Sequence, residues 1–152
     1  MSDPLVPLAN QTHAVDCVLA AMEIEQLVFG LREMKMLQSR PYWENRVGIH
    51  SGDLVAGAVG GREKFSYDVW GDTVNTASRL ESSGVAGRIN ISGATHELVK
   101  DFFDCEFRGK VAAKNKGEID MYFVNRIRRE LSVDAQGLMP NERFVDLYGR
   151  LE

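Results

Sequence analysis

Apolar residues along the chain fall into short blocks of two different periods. From Thr12 to about Met36, Val15, Val18, Leu19, Met22, Leu27, Val28 and Leu31 recur at helical spacing, which predicts an amphipathic helix with one core-facing stripe. Pro4 and Pro7 keep residues 1–11 extended, and Ser39-Arg40-Pro41 ends the helix. From Trp43 to His50 the period becomes two: Val47 and Ile49 alternate with Arg46, Gly48 and His50, as in a half-buried strand. Ser51-Gly52-Asp53 reads as a turn and Leu54 to Val59 as a second strand, where Gly57 marks close approach of a neighbour or ligand.

The stretch Phe65 to Glu81 predicts a short aromatic strand, a Gly-Asp turn and a helix. Gly71 breaks the strand, and either Asp72 or Thr73 supplies the cap of the helix that follows. On that helix Val74, Ala77 and Leu80 share one side at about 100° per residue, with Asn75, Arg79 and Ser82 nearly opposite. Residues 83–87 form its C-terminal cap and turn. Arg88 to Ser92 reads as a short alternating strand, Gly93 to Lys100 as a short helix, and Phe102 to Val111 with Met121 to Ile127 as a pair of strands. Between the last two lies a small basic loop, Ala112 to Gly117. Residues 128–152 begin as a polar linker, and Pro140 opens a short amphipathic helix through Phe144, Leu147, Tyr148 and Leu151 that packs on the domain or trails from it. Helices alternating with strands give an α+β or α/β class.

Composition narrows the partners. The length of 152 residues suits one domain, and 44% hydrophobic with 26% charged residues is ordinary for a globular chain. A net charge of -4 and a pI near 5.4 lack the basic footprint of a nucleic-acid binder. Cys17 and Cys105 are too few for a disulfide framework and read as reduced thiols. No apolar run approaches the ~20 residues of a membrane span, and Met-Ser-Asp-Pro lacks the regions of a signal peptide. The expected location is cytoplasmic, with no membrane contact from this segment, although the complete protein is free to be anchored elsewhere.

Asn75 and Arg79 are four apart and stand one turn above each other, able to reach one ligand atom. A five-donor guanidinium beside a neutral amide suits phosphate oxygens; the competing reading is a solvated polar face. A hydrolase is excluded, because His50, Ser51 and Asp53 are neighbours in one turn and no nucleophile elbow is present. His13, His50 and His96 have no metal-ligand spacing, and no Walker loop or Gly-x-Gly-x-x-Gly follows a strand. The loop carrying Lys114 and Lys116 is by itself a solvated hairpin tip, and becomes a phosphate clamp only where the fold brings it to Asn75 and Arg79.

Several blocks in one order resemble a known family, the class III nucleotidyl cyclase catalytic domain of adenylyl and guanylyl cyclases. They are Arg46 to Asp53, Ala56 to Gly60, Phe65 to Ser82, Ile89 to Ser92, and Lys114 to Gly117 with Tyr122-Phe123. The resemblance covers about Pro4 to Ile127, so residues 1–127 are expected to form a partial cyclase domain and 128–152 a C-terminal extension. It implies a partial ferredoxin-like α+β fold with a mixed or antiparallel sheet flanked by helices. It further implies that Asn75 orients the ribose, that Arg79 stabilises the α-phosphate in the transition state, and that Lys114 reaches the triphosphate. Asp68 matches the position that reads the purine. A carboxylate only accepts hydrogen bonds, so it suits the N6 amine of adenine and repels guanine O6, and Val69 adds its backbone carbonyl. The implied reaction converts ATP to 3′,5′-cyclic AMP and pyrophosphate in a homodimer with shared sites, assisted by two Mg²⁺ or Mn²⁺ ions.

The family's metal-binding aspartates precede the helix at 12–36. The chain is therefore expected to start too late to contain them, and to lack the adenine-contacting lysine. Asp3 and Asp16 do not stand in the matching context. No metal is expected to be held by this chain alone, the chain alone is expected to be inactive, and an exposed sheet edge is expected to drive self-association. GTP as substrate, and a non-catalytic module for dimerisation or regulation, are the competing readings.

Overall fold

The computed structural model describes residues 10–61, 64–113 and 117–151, except for the side chains at 59, 61, 64–68 and 113. Helix α1 (His13–Leu37) is followed by β1 (Val47–Ile49), the hairpin β2 (Val55–Gly61) and β3 (Lys64–Trp70), and helix α2 (Asp72–Ser82). Strand β4 (Ile89–Ser92), helix α3 (Gly93–Val99), the hairpin β5 (Phe103–Ala113) and β6 (Gly117–Ile127), a 3-10 turn at Arg129–Leu131 and helix α4 (Glu142–Tyr148) complete the chain. The sheet is four-stranded in the order β1-β4-β6-β5, while β2 and β3 pair in a separate two-stranded sheet. Strands β1 and β4 run parallel and the other pairs antiparallel. The class is thus α+β with a mixed sheet flanked by helices.

The central position of β4 explains its burial. It is paired on both edges, and successive side chains of a strand point to opposite faces. Ile89 and Ile91 join the core formed with Val15 and Val18 of α1, Val99, Phe103, Val124 and Ile127, while Asn90 meets α2. All four residues of β4 are buried, so the expected alternation of buried and exposed positions is absent. A strand covered on both faces has no solvent side to write into its sequence.

Only the first half of α1 is in the core: its buried residues are Ala14, Val15, Val18, Ala21 and Met22. Leu27 and Leu31, expected in the buried stripe, are exposed. The far end of α1 has the segment from Tyr42 to Asn45 beside it. Arg32 pairs with Glu44 at 3.4 Å, and Lys35 lies 4.4 Å over the Trp43 ring. Trp43 to Arg46 lie outside the sheet, and β1 is three residues long.

The C-terminal segment packs on the domain. Phe144 stands edge-on to Phe102 at 5.0 Å, and Leu131 joins the same core. The Tyr148 hydroxyl donates to Asp16 Oδ1 at 2.6 Å, tying α4 to the first turn of α1. Asn141 caps α4 by accepting from the Phe144 amide at 3.1 Å. Among the described residues no helix is long and apolar enough to cross a membrane. Both cysteines are free thiols, Cys17 exposed and Cys105 half-buried.

Candidate functional site

Helix α2 leaves β3 through Gly71, which takes φ +132 as the N-cap, a backbone conformation that L side chains rarely adopt. No side chain caps the helix, contrary to expectation for Asp72 or Thr73. Asp72 is instead the first helical residue, and the Thr73 hydroxyl donates away from the helix to the Asp53 carbonyl. That bond fastens the loop after β1 onto the start of α2. The buried line of the helix also differs from the sequence pattern. Thr76 and Leu80 are buried while Val74 is exposed. The cause is the way the helix meets the sheet, through its last turn, where the Leu80 carbonyl accepts from Asn90 Nδ2 at 2.8 Å.

Asn75 and Arg79 lie on the solvent side of α2, one turn apart and both exposed. Among the described residues neither side chain has a hydrogen-bond or ion-pair partner. A guanidinium and an amide are therefore presented together on the exposed side of the helix, without partners among the described residues. Val69, exposed near the end of β3, precedes the helix by a few residues and pairs with Ala56. Asp68 pairs with Gly57 through its backbone, and its side chain lies outside the description. Lys114 lies outside the described residues.

The turn that holds His50, Ser51 and Asp53 is structural. His50 Nδ1 is 2.8 Å from Ser92 Oγ, and the Ser51 amide donates to Thr95 Oγ1 at 2.9 Å. Ser92 Oγ also accepts from the Thr95 amide as the cap of α3. The end of β1 is thereby locked to the start of α3, with no nucleophile released for catalysis. Asp16 is likewise engaged, its two oxygens taken by the hydroxyls of Tyr148 and Thr12. Among the described residues no group of three His, Cys, Asp or Glu side chains is arranged to hold a metal ion. A cleft of about 240 Å³ lies between α1 and the following segment, lined by Glu25, Val28, Phe29, Arg32, Trp43 and Asn45 among others. Burial pushes the Glu25 carboxyl above its ordinary range against the opposing hydrogen bond from Asn45. The lining contains none of Val69, Asn75 or Arg79.

Sequence reasoning placed Thr73 at the start of α2 but as a cap, and missed that Asn90, Arg108 and Gly48 mount the helix. Asn90 gave the one readable signal, a polar residue in the middle of Ile89-Asn90-Ile91.

The model of the adenylate and guanylate cyclase catalytic domain matches residues 6–126. The chain belongs to this cyclase family. Human guanylyl cyclase C is 38% identical over 144 residues, which are 92% of this chain and 13% of that protein. An adenylate cyclase of Mycobacterium tuberculosis is 43% identical over 89 residues, 59% of this chain and 19% of that protein. Among solved structures, the adenylyl cyclase CyaB of P. aeruginosa superposes with a TM-score of 0.74 at 30% identity, covering 85% of this chain and 67% of that one. The guanylate cyclase domain of RhGC from Catenaria anguillulae, solved with GTP, gives 0.68 at 30% identity, covering 84% and 65%. The cyclase relatives thus divide between adenylyl and guanylyl enzymes.

Proposed function

We propose that this chain is part of the catalytic domain of an adenylate cyclase, and that the complete protein converts ATP to 3′,5′-cyclic AMP and pyrophosphate in intracellular signalling. The observation that carries the reading is the pairing of Asn75 and Arg79 on the exposed side of α2, without partners among the described residues. In the reaction the ribose 3′-oxygen attacks the α-phosphorus, its proton passes to solvent water, and the bond from that phosphorus to the pyrophosphate oxygen breaks, releasing pyrophosphate. Negative charge gathers on the phosphoryl oxygens, where Arg79 donates to the forming pentavalent centre while Asn75 holds the ribose. The carboxylate of Asp68 accepts from the adenine N6 amine, the Val69 carbonyl adds a second acceptor, and Lys114 meets the triphosphate.

In the complete domain two Mg²⁺ or Mn²⁺ ions, held by residues outside this chain, would favour ionisation of the attacking hydroxyl and neutralise the leaving group. Among the described residues no group of three His, Cys, Asp or Glu side chains is arranged to hold them. The proposed assembly is a homodimer, and the chain alone is expected to make no cyclic nucleotide.

A guanylate cyclase is the second reading, favoured by the 38% identity to guanylyl cyclase C over 92% of the chain. Asp68 opposes it, since a carboxylate facing guanine O6 sets two acceptors against each other. A non-catalytic cyclase-like module, used for dimerisation or regulation, is the third. Competition of ATP and GTP for the full-length protein separates the first two, and absence of either product supports the third.

A further inference from the structure

The last turn of an α-helix leaves carbonyls without intrahelical partners. In α2 the chain itself supplies three donors: the Ser83 amide to Arg79 O at 2.9 Å, the Ser82 hydroxyl to the same carbonyl at 3.2 Å, and the Gly84 amide to Glu81 O at 2.9 Å. The Leu80 and Ser83 carbonyls are met from the sheet. Asn90 Nδ2 donates to Leu80 O at 2.8 Å, and Arg108 Nη1 donates to Ser83 O at 2.9 Å. Asn90 is 0% exposed at the middle of β4, and its Oδ1 has no hydrogen-bond partner. An aliphatic residue there would avoid that desolvation cost. Arg108 is held in its turn, its guanidinium 4.3 Å over the Phe123 ring.

We infer that Asn90 and Arg108 are positioning residues, fixing the last turn of α2 so that Asn75 and Arg79 are presented in one orientation. Neither touches the solvent side of the helix, so each acts through the backbone. A helix held only by its apolar stripe slides and rotates over a sheet; two donors aimed at named carbonyls set its axial position and its rotation. Simple completion of a helix end is the competing account, and it predicts no specific consequence for the ligand face. The inference rests on the reading of Asn75 and Arg79 as nucleotide contacts.

The test uses the 152-residue chain with Asn90→Leu, Asn90→Asp, Arg108→Met and, as reference, Arg79→Ala. Amide exchange and ATP titration are both followed by NMR. Exchange at the end of α2 should accelerate about tenfold in Asn90→Leu and Arg108→Met while β5 and β6 keep their protection. In Asn90→Asp a buried carboxyl stays protonated at mildly acidic pH and donates to Leu80 O. That variant should therefore match the parent at pH 5 and exchange faster near pH 8, each compared with the parent at the same pH. ATP affinity should fall about tenfold in Asn90→Leu and Arg108→Met, as in Arg79→Ala. Unchanged α2 exchange, or acceleration spread equally over the sheet, overturns the anchor. Weaker ATP binding in Arg79→Ala but not in Asn90→Leu or Arg108→Met overturns its positioning role. If Arg79→Ala leaves ATP binding unchanged, Arg79 makes no contact with ground-state ATP and the positioning of that contact by Asn90 and Arg108 fails with it, while the exchange data still decide the anchor. Should Asn90→Leu fail to fold, Arg108→Met and Asn90→Asp carry the test.

Discussion

Gly48 of β1 lies directly beneath the backbone of Glu81 in the last turn of α2. A Cβ at this position would stand 2.7 Å from the Leu80 carbonyl carbon and 2.8 Å from Glu81 Cα. Both neighbours are backbone, so neither yields as a flexible side chain would. Gly48 also pairs in register with Asn90, which makes the contact between helix and sheet one compact joint. Gly48→Ala should cost about 3 kcal/mol, the upper part of the range for forcing extra volume into a packed site. The check is the midpoint of urea unfolding. An unchanged midpoint would show that α2 does not rest on β1 in this way.

The C-terminal segment should prove integral to stability. Phe144→Ala removes a buried ring packed on Phe102 and Phe103 and should cost about 3–5 kcal/mol. Tyr148→Phe deletes only the hydroxyl that donates to Asp16, and should cost about 1 kcal/mol because the pair is part-exposed. Thermal unfolding of the two variants reads both. Equal, small losses would mean that α4 is loosely attached.

These results mark how far the sequence could be read. The 3.6-residue period placed α1, whose first half carries the buried stripe, and the period of two placed the strand that ends at Ile49, of which Val47–Ile49 pair in the sheet. The burial of α2 was misphased, since its orientation depends on where its last turn meets Gly48 and Asn90, residues distant in sequence. Leu27 and Leu31 looked like core because hydrophobicity alone cannot say where a long helix runs beyond its sheet. In the site, Asn75 and Arg79 were legible from their spacing. The mount was not: Arg108 reaches Ser83 across 25 positions, a relation that no local pattern encodes.

Burial pushes the Cys105 thiol up from 9.0 to about 11, with the neighbouring Asp104 carboxylate adding to the shift. The unfolded chain ionises this thiol first, so its stabilising effect is complete below pH 9.0 and is lost as pH rises toward about 11. Unfolding midpoints measured across that window should fall more steeply for the parent than for Cys105→Val. At pH 8 a thiol reagent should modify the exposed Cys17 well before Cys105. Equal rates would contradict the burial assigned to Cys105.

Arg79→Ala and Asn75→Ala should leave the fold intact, since both side chains are exposed and without partners among the described residues. In the full-length cyclase each should lower kcat by about 10²–10³, the cost of removing one donor from a developing phosphoryl charge. Steady-state kinetics with circular dichroism as the folding control separates this from general damage. A change confined to KM would point to ground-state binding alone.

The central claim is tested most directly by product analysis of the full-length protein, given equal ATP and GTP with Mn²⁺. Cyclic AMP should be the dominant product, formed in the parent and lost in Arg79→Ala. Dominant cyclic GMP, or cyclic AMP formed equally well by Arg79→Ala, would contradict it.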